Sequence, residues 1–197
     1  ENHYLGAVFN KSQFDTFYHE HPRTYSYRSF EFIAESLGMN VLDAEFVSRY
    51  GGNIRVYIGV GDKKVPDIDE SQFPAAFDKM NKEIVKWKSE TKIMIDNLVR
   101  KNGPIRAKAF PGRAAILIKL LGLTGDQISA VYEIKGSIKV GHYVPGTKIP
   151  ILPEALLYTK EDLNKPILNL AWHLPSEVRS NLVKNGYTGD VIDIKSI

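Results

Sequence analysis

The chain has 197 residues, 43% hydrophobic and 25% charged, a composition that suits one domain of ordinary size, or one domain plus an appended segment, with a sizeable core. It contains no cysteine, which excludes a disulfide scaffold, a thiolate nucleophile and a thiolate zinc site within the chain and fits a reducing, cytoplasmic setting. Lys and Arg number 26 against 23 Asp and Glu, a net charge of +3; the basic residues are spread out, which argues against nucleic-acid binding, and the apolar stretches fall far short of the ~20 residues of a membrane span.

No repeat or low-complexity tract is present, and no signal peptide is visible at Glu1. Because the first residue is not Met, the natural N-terminus is expected upstream. Residues 2–9 read as a short strand followed by a loop. The spacing predicts a helix over 26–37, with Tyr27, Phe30, Ile33, Ala34 and Leu37 on one face and Gly38 as its stop. Residues 40–60 read as a β-hairpin: Gly51-Gly52 supplies a turn tolerant of positive φ, and Ile54, Val56, Ile58 and Val60 recur with period two. Residues 61–71 are polar, contain Pro66 and read as a loop. The strongest helix covers about 72–102, where Phe73, Phe77, Met80, Ile84, Trp87, Thr91, Ile95 and Leu98 are spaced by threes and fours and Gly103-Pro104 ends it. That stripe reads as core packing against a sheet.

Beyond 105 the pattern changes. Strands are expected at 105–110, 128–133, 149–152, 166–171 and 190–194. Helices are expected at 112–122 and 175–185, and a loop carries Gly141, Pro145 and Gly146. Strands alternating with helices argue for a mainly parallel, three-layer α/β sheet. The expected organisation is a motif segment over 1–25, a helix, hairpin and long helix over 26–102, and an α/β subdomain over 103–197.

The densest reactive cluster is Tyr18-His19-Glu20-His21. On an extended segment Tyr18 and Glu20 share one side, with His19 and His21 on the other; Pro22 biases His21 away from helix. Three readings stand side by side. A histidine oriented by a carboxylate can act as a base. His19, Glu20 and His21 can supply metal ligands, although further ligands are not evident. Buried histidines with satisfied hydrogen bonds would be structural.

The run Gln13-Phe14-Asp15-Thr16-Phe17-Tyr18-His19-Glu20-His21, followed by Tyr25-Ser26 and a helix, resembles the C-terminal domain of the nucleotide-sugar C-methyltransferases that use S-adenosylmethionine (SAM). Tyr50-Gly51-Gly52-Asn53-Ile54-Arg55-Val56 resembles that family's His-Gly-Gly-Ser-Leu-Arg-Val hairpin. Lys139 to Pro150 resembles its Lys-x-Gly-x-x-x-Pro-Gly-Thr-x-Ile-Pro loop, and Leu170-Ala171-Trp172-His173 with Glu177 resembles its Ala-Trp-Asn segment. The motifs stand in the family's order and cover nearly the whole chain.

The resemblance implies methylation of a carbon beside the keto group of a nucleotide-linked 4-keto deoxysugar. It implies His21 as the base, Glu20 as its orienting carboxylate and Tyr18 as the donor near the enolate oxygen. Gly51 and Gly52 would let backbone approach the sugar. Arg55 is a candidate partner for phosphate or a buried carboxylate, and Lys139, His142 and Tyr143 lie in a loop of the kind that carries ligand contacts.

Two departures bear on what the chain holds. No glycine-rich strand-to-helix loop of the kind that binds SAM in doubly wound folds is present; the family carries it in an upstream domain, often preceded by a zinc-binding one. SAM is therefore expected mainly on an upstream domain of the same polypeptide, residues 1–25 beginning at that domain's end, and zinc only on a further N-terminal domain, with no metal here. At Ala109-Phe110-Pro111-Gly112-Arg113-Ala114 the family has Gly-Ala-Pro-Ala-Lys-Gly. Arg113 remains a candidate for a diphosphate, but a Rossmann-like subdomain without those glycines is expected to bind no dinucleotide, and Glu133, at the usual place of a ribose-binding acid, reads as coincidence. A third departure, Pro22 after the motif where the family is apolar, is expected to reshape the pocket. The alternative reading is a non-catalytic α/β module that binds a nucleotide sugar or scaffolds a partner.

Overall fold

The computed structural model describes residues 1–62, 64–65, 68–159 and 162–195, and for Tyr50 the backbone alone. Pro66, which supported the loop reading of 61–71, lies outside them. The chain forms two compact units, Glu1–Ile84 and Val85–Ile197.

The first unit contains strand β1 (Asn2–His3), helix α1 (Leu5–Asn10), a 3-10 turn (Phe14–Thr16), helix α2 (Tyr27–Ser36), strand β2 (Asn40–Val47), a second 3-10 turn (Arg49–Gly51) and strand β3 (Asn53–Gly59). The strands make an antiparallel sheet in the order β1-β3-β2. Helix α1 stands where a loop was expected. Six residues give too little periodicity to read, and the helix has no side-chain cap. Tertiary packing sets it instead: Val8 is fully buried and Gly6 lies so close to the Tyr4 ring that no Cβ fits there.

Helix α2 matches its predicted span. Ser26 and Ser29 cap each other's backbone N–H groups, and Gly38 ends the helix at φ 67°. Tyr27, Phe30, Ala34, Val41 and Ile54 form the core between helix and hairpin. The hairpin is real, but residues 48–52 join its strands through the 3-10 turn rather than a two-residue turn.

The long helix α3 (Phe73–Asn102) begins in the first unit, where Phe9 meets Phe73 and Phe77 edge-on at 5.0 and 4.6 Å. In the second unit its stripe buries Thr91 and Ile95, and Trp87 Nε1 donates to the Ile194 carbonyl at 3.0 Å, so the stripe packs as core.

The second unit holds strands β4 (Ile105–Lys108), β5 (Ile128–Glu133), β6 (Ile151–Pro153), β7 (Ile167–Asn169) and β8 (Val191–Asp193). Helices α4 (Ala114–Leu121), α5 (Ala155–Tyr158) and α6 (Pro175–Lys184) connect them. All neighbouring strands are parallel, in the order β6-β5-β4-β7-β8. This is the expected Rossmann-like three-layer α/β fold, and its strand order reverses between β4 and β7. Among the described residues of this unit, the four-residue α5 is the helix absent from the sequence reading.

Candidate active site

The cluster at 13–21 divides into an anchor and an exposed turn. Gln13, Phe14, Asp15 and Thr16 are buried. The Gln13 amide donates to the Gly51 carbonyl at 3.1 Å, and the Thr16 hydroxyl donates to the Gln13 carbonyl at 2.9 Å. This anchor ties the segment to the hairpin, and the chain then emerges at Phe17.

Residues 18–21 are a turn rather than an extended run, closed by the His21 N–H donating to the Tyr18 carbonyl at 2.8 Å. Pro22 keeps the following chain from helix. The Tyr18 hydroxyl donates to Glu20 Oε2 at 2.8 Å, as the shared side predicted. The turn breaks the alternation for His21, whose ring lies 5.2 Å from that of Tyr18, edge to face. Exposed His19 sits 5.4 Å from the Tyr18 ring and 4.0 Å from Glu20. A phenol, a carboxylate and an imidazole thus share one surface, beside a cleft of about 450 Å³ lined by Leu5, Phe17, Tyr18, His21, Arg23 and Phe77, among others.

His3, which no sequence signal marked, joins this group. Its ring lies 6.0 Å from that of His21, placed by the pairing of His3 with Asn53 on β3. Only the fold brings β1 beside the turn. Among the described residues no group of three His, Asp or Glu side chains could hold a metal ion.

Gly51 and Gly52 adopt φ 95° and 129°, and they make close approaches within the chain itself. A Cβ on Gly51 would fall 2.4 Å from the Gln13 side chain, and one on Gly52 would fall 2.5 Å from the Ala7 Cβ. Arg55 pairs with two carboxylates, Glu1 at 2.8 Å and Glu45 at 3.1 Å. The Asn53 amide and then Arg55 hold the Glu1 carboxyl below its ordinary value.

The remaining candidates belong to the second unit, at the carboxyl ends of its strands. Arg113 is buried at the start of α4, its guanidinium 5.0 Å from the centre of the Trp172 ring. Lys139 Nζ donates to the Phe110 carbonyl at 2.6 Å. His142 and Tyr143 are exposed, and Tyr143 forms a backbone bridge to Pro150.

The turn after β4 is where a doubly wound fold receives a phosphate. Here it is occupied by the chain itself. The Phe110 N–H donates to the buried Glu133 carboxylate, and the Phe110 carbonyl accepts from Lys139. Ala109 adopts φ 63°, a conformation that glycine holds without strain. This turn does not fit the diphosphate of a dinucleotide or a SAM of the doubly wound type.

The model of the C-methyltransferase C-terminal domain family matches residues 49–189. The C-methyltransferase NovU of Streptomyces niveus is 27% identical over 191 residues, covering 90% of this chain and 44% of that protein. The chain therefore spans less than half the length of that relative. No helix among the described residues is long and apolar enough to cross a membrane.

Proposed function

We propose, from the family to which this chain belongs, the C-methyltransferase C-terminal domain, that it carries the proton-abstraction machinery of a sugar C-methyltransferase. The observation that carries this reading is the placement of Tyr18, Glu20 and His21 on one turn beside a cleft. The substrate class is a nucleotide-linked 4-keto deoxysugar.

A C–H bond beside a ketone is acidic because its electron pair can delocalise onto the carbonyl oxygen. The neutral imidazole of His21 takes the proton. The electron pair of the broken bond becomes the enolate, with its charge on oxygen. The Tyr18 hydroxyl rests on Glu20; a hydroxyl rotates readily, and it turns to donate to the ketone oxygen as charge develops there. Glu20, which the resemblance gives as the carboxylate orienting His21, instead holds the phenol in place before the substrate arrives.

SAM supplies the methyl group in this chemistry. The strand-turn-helix of the second unit does not fit it, so SAM is assigned to an upstream domain of the same polypeptide. Candidate substrate contacts are Gly51, Gly52 and Arg55 in the first unit and Arg113, Lys139, His142 and Tyr143 in the second. A cytoplasmic location follows from the substrate class and the absence of cysteine.

Steady-state kinetics of His21→Ala and Tyr18→Phe in the whole enzyme test the reading. Loss of a positioned acid or base costs roughly 10²- to 10⁴-fold in turnover. Near-normal turnover in both variants would sink it.

A further inference from the structure

We propose that Arg23 receives the diphosphate of the nucleotide-linked substrate. The proposal rests on the reading of Tyr18 and His21 as the reacting end of the site.

Arg23 lines the same cleft as Tyr18 and His21 and is exposed. Among the described residues it makes no hydrogen bond or ion pair, whereas Arg55 and Arg106 of the same chain are held by carboxylate or carbonyl oxygens. Among the described residues no carboxylate lines the cleft, and the nearest in sequence, Glu20, already accepts from Tyr18. The walls around Arg23 are otherwise largely apolar: Leu5, Phe17, Pro22 and Phe77. An anion that enters meets one unspent guanidinium against low-dielectric walls, which strengthens the attraction over its value in open water.

Charge, shape and reach select a diphosphate. The guanidinium fork pairs with phosphate oxygens through two parallel N–H donors. Two residues of extended chain span at most about 7 Å, so Arg23 lies close behind His21. In a nucleotide-linked sugar the diphosphate is joined to the ring only a few bonds from the carbons that flank the ketone. A base at His21 and an anion receptor at Arg23 therefore match the two ends of one such sugar. Pro22, with its fixed φ, sets the direction in which the chain leaves His21 towards Arg23.

The test is heteronuclear NMR of the 197-residue chain titrated with inorganic diphosphate, thymidine diphosphate, sulfate and SAM. The two diphosphates are expected to shift the amides of residues 18–24. Arg23→Ala should weaken both by roughly 10- to 100-fold, the range for one hydrogen bond to a charged group. Arg23→Lys should fall between that variant and the parent chain, because it keeps the charge and loses the fork. Absence of shifts at 18–24, equal response to sulfate, a response to SAM alone, or unchanged affinity in Arg23→Ala would each overturn the assignment. None of these outcomes bears on turnover of the His21 and Tyr18 variants, so the two readings fail separately.

Discussion

The Glu70 carboxylate closes the N-terminal end of helix α2, its Oε1 accepting the Tyr27 N–H at 2.7 Å from 43 residues away. The same group accepts from the Arg28 N–H at 3.2 Å and from the Tyr4 hydroxyl at 3.0 Å. Ser26 and Ser29 satisfy neighbouring donors of that helix end. Glu70 is buried, so removing it strands a backbone donor and a phenol away from water. Glu70→Ala should cost about 2–4 kcal/mol of stability, the sum of a lost cap and charged hydrogen bonds. Glu70→Gln keeps one acceptor and should cost less. Urea unfolding of both variants checks the order, and equal midpoints would remove the clamp from the account.

Tyr18 and Glu20 make the opposite case. Their hydrogen bond is exposed, so its loss should change stability by no more than about 0.5 kcal/mol. Turnover in the whole enzyme should fall for Tyr18→Phe and for Glu20→Gln. The double variant should be little worse than Tyr18→Phe alone, because the carboxylate acts through the phenol. Additive losses would show that Glu20 works independently of Tyr18.

These two carboxylates mark what was legible in the chain. Glu20 lies two residues from its partner, so sequence spacing pointed to the pair. Glu70 lies in an irregular stretch, and nothing local indicates that it caps a helix far away. The same distinction runs through the fold. Helices α2 and α3 and strand β3 carried their own periodicity, while α1 and α5 are too short to show any. The long-range contacts that build the site, His3 against His21 and Gln13 against Gly51, follow from the pairing of β1 with β3, which one sequence does not display. The loss of glycines after β4 was visible in the sequence, but its consequence was not: Glu133 at the end of β5 and Lys139 in the loop that follows both close on the turn at Phe110.

Gly52 gives a stability prediction with a built-in control. Its φ of 129° disfavours any side chain, and a Cβ would fall 2.5 Å from the Ala7 Cβ. Gly52→Ala should cost about 2–4 kcal/mol, from overpacking and backbone strain together. Ala7→Gly in the same molecule removes the clash and leaves the strain, so the double variant should recover part of the loss. If the double variant is no more stable than Gly52→Ala, the contact with Ala7 is not what the glycine serves.

Tyrosine titration sets an alkaline limit on stability. Burial first, then the neighbouring Glu154 carboxylate, pushes the Tyr158 phenol from its ordinary 10.0 up to about 12. Burial also raises Tyr187, with Arg106 opposing, and burial together with Glu70 raises Tyr4. In each case the folded protein holds the phenolic proton more tightly than the unfolded chain does. Below pH 10.0 both states are protonated and the contribution is fully present. Between 10.0 and about 12 the unfolded chain releases its proton first, so stability declines as pH rises through that window. The Tyr158 hydroxyl also donates to Asn181 at 3.0 Å, a bond that ionisation abolishes. Unfolding free energies measured across the window should fall less steeply in Tyr158→Phe than in the parent chain, with the two converging in slope below it. Identical slopes would mean that Tyr158 titrates alike in both states, and that its alkaline shift contributes nothing to the fold.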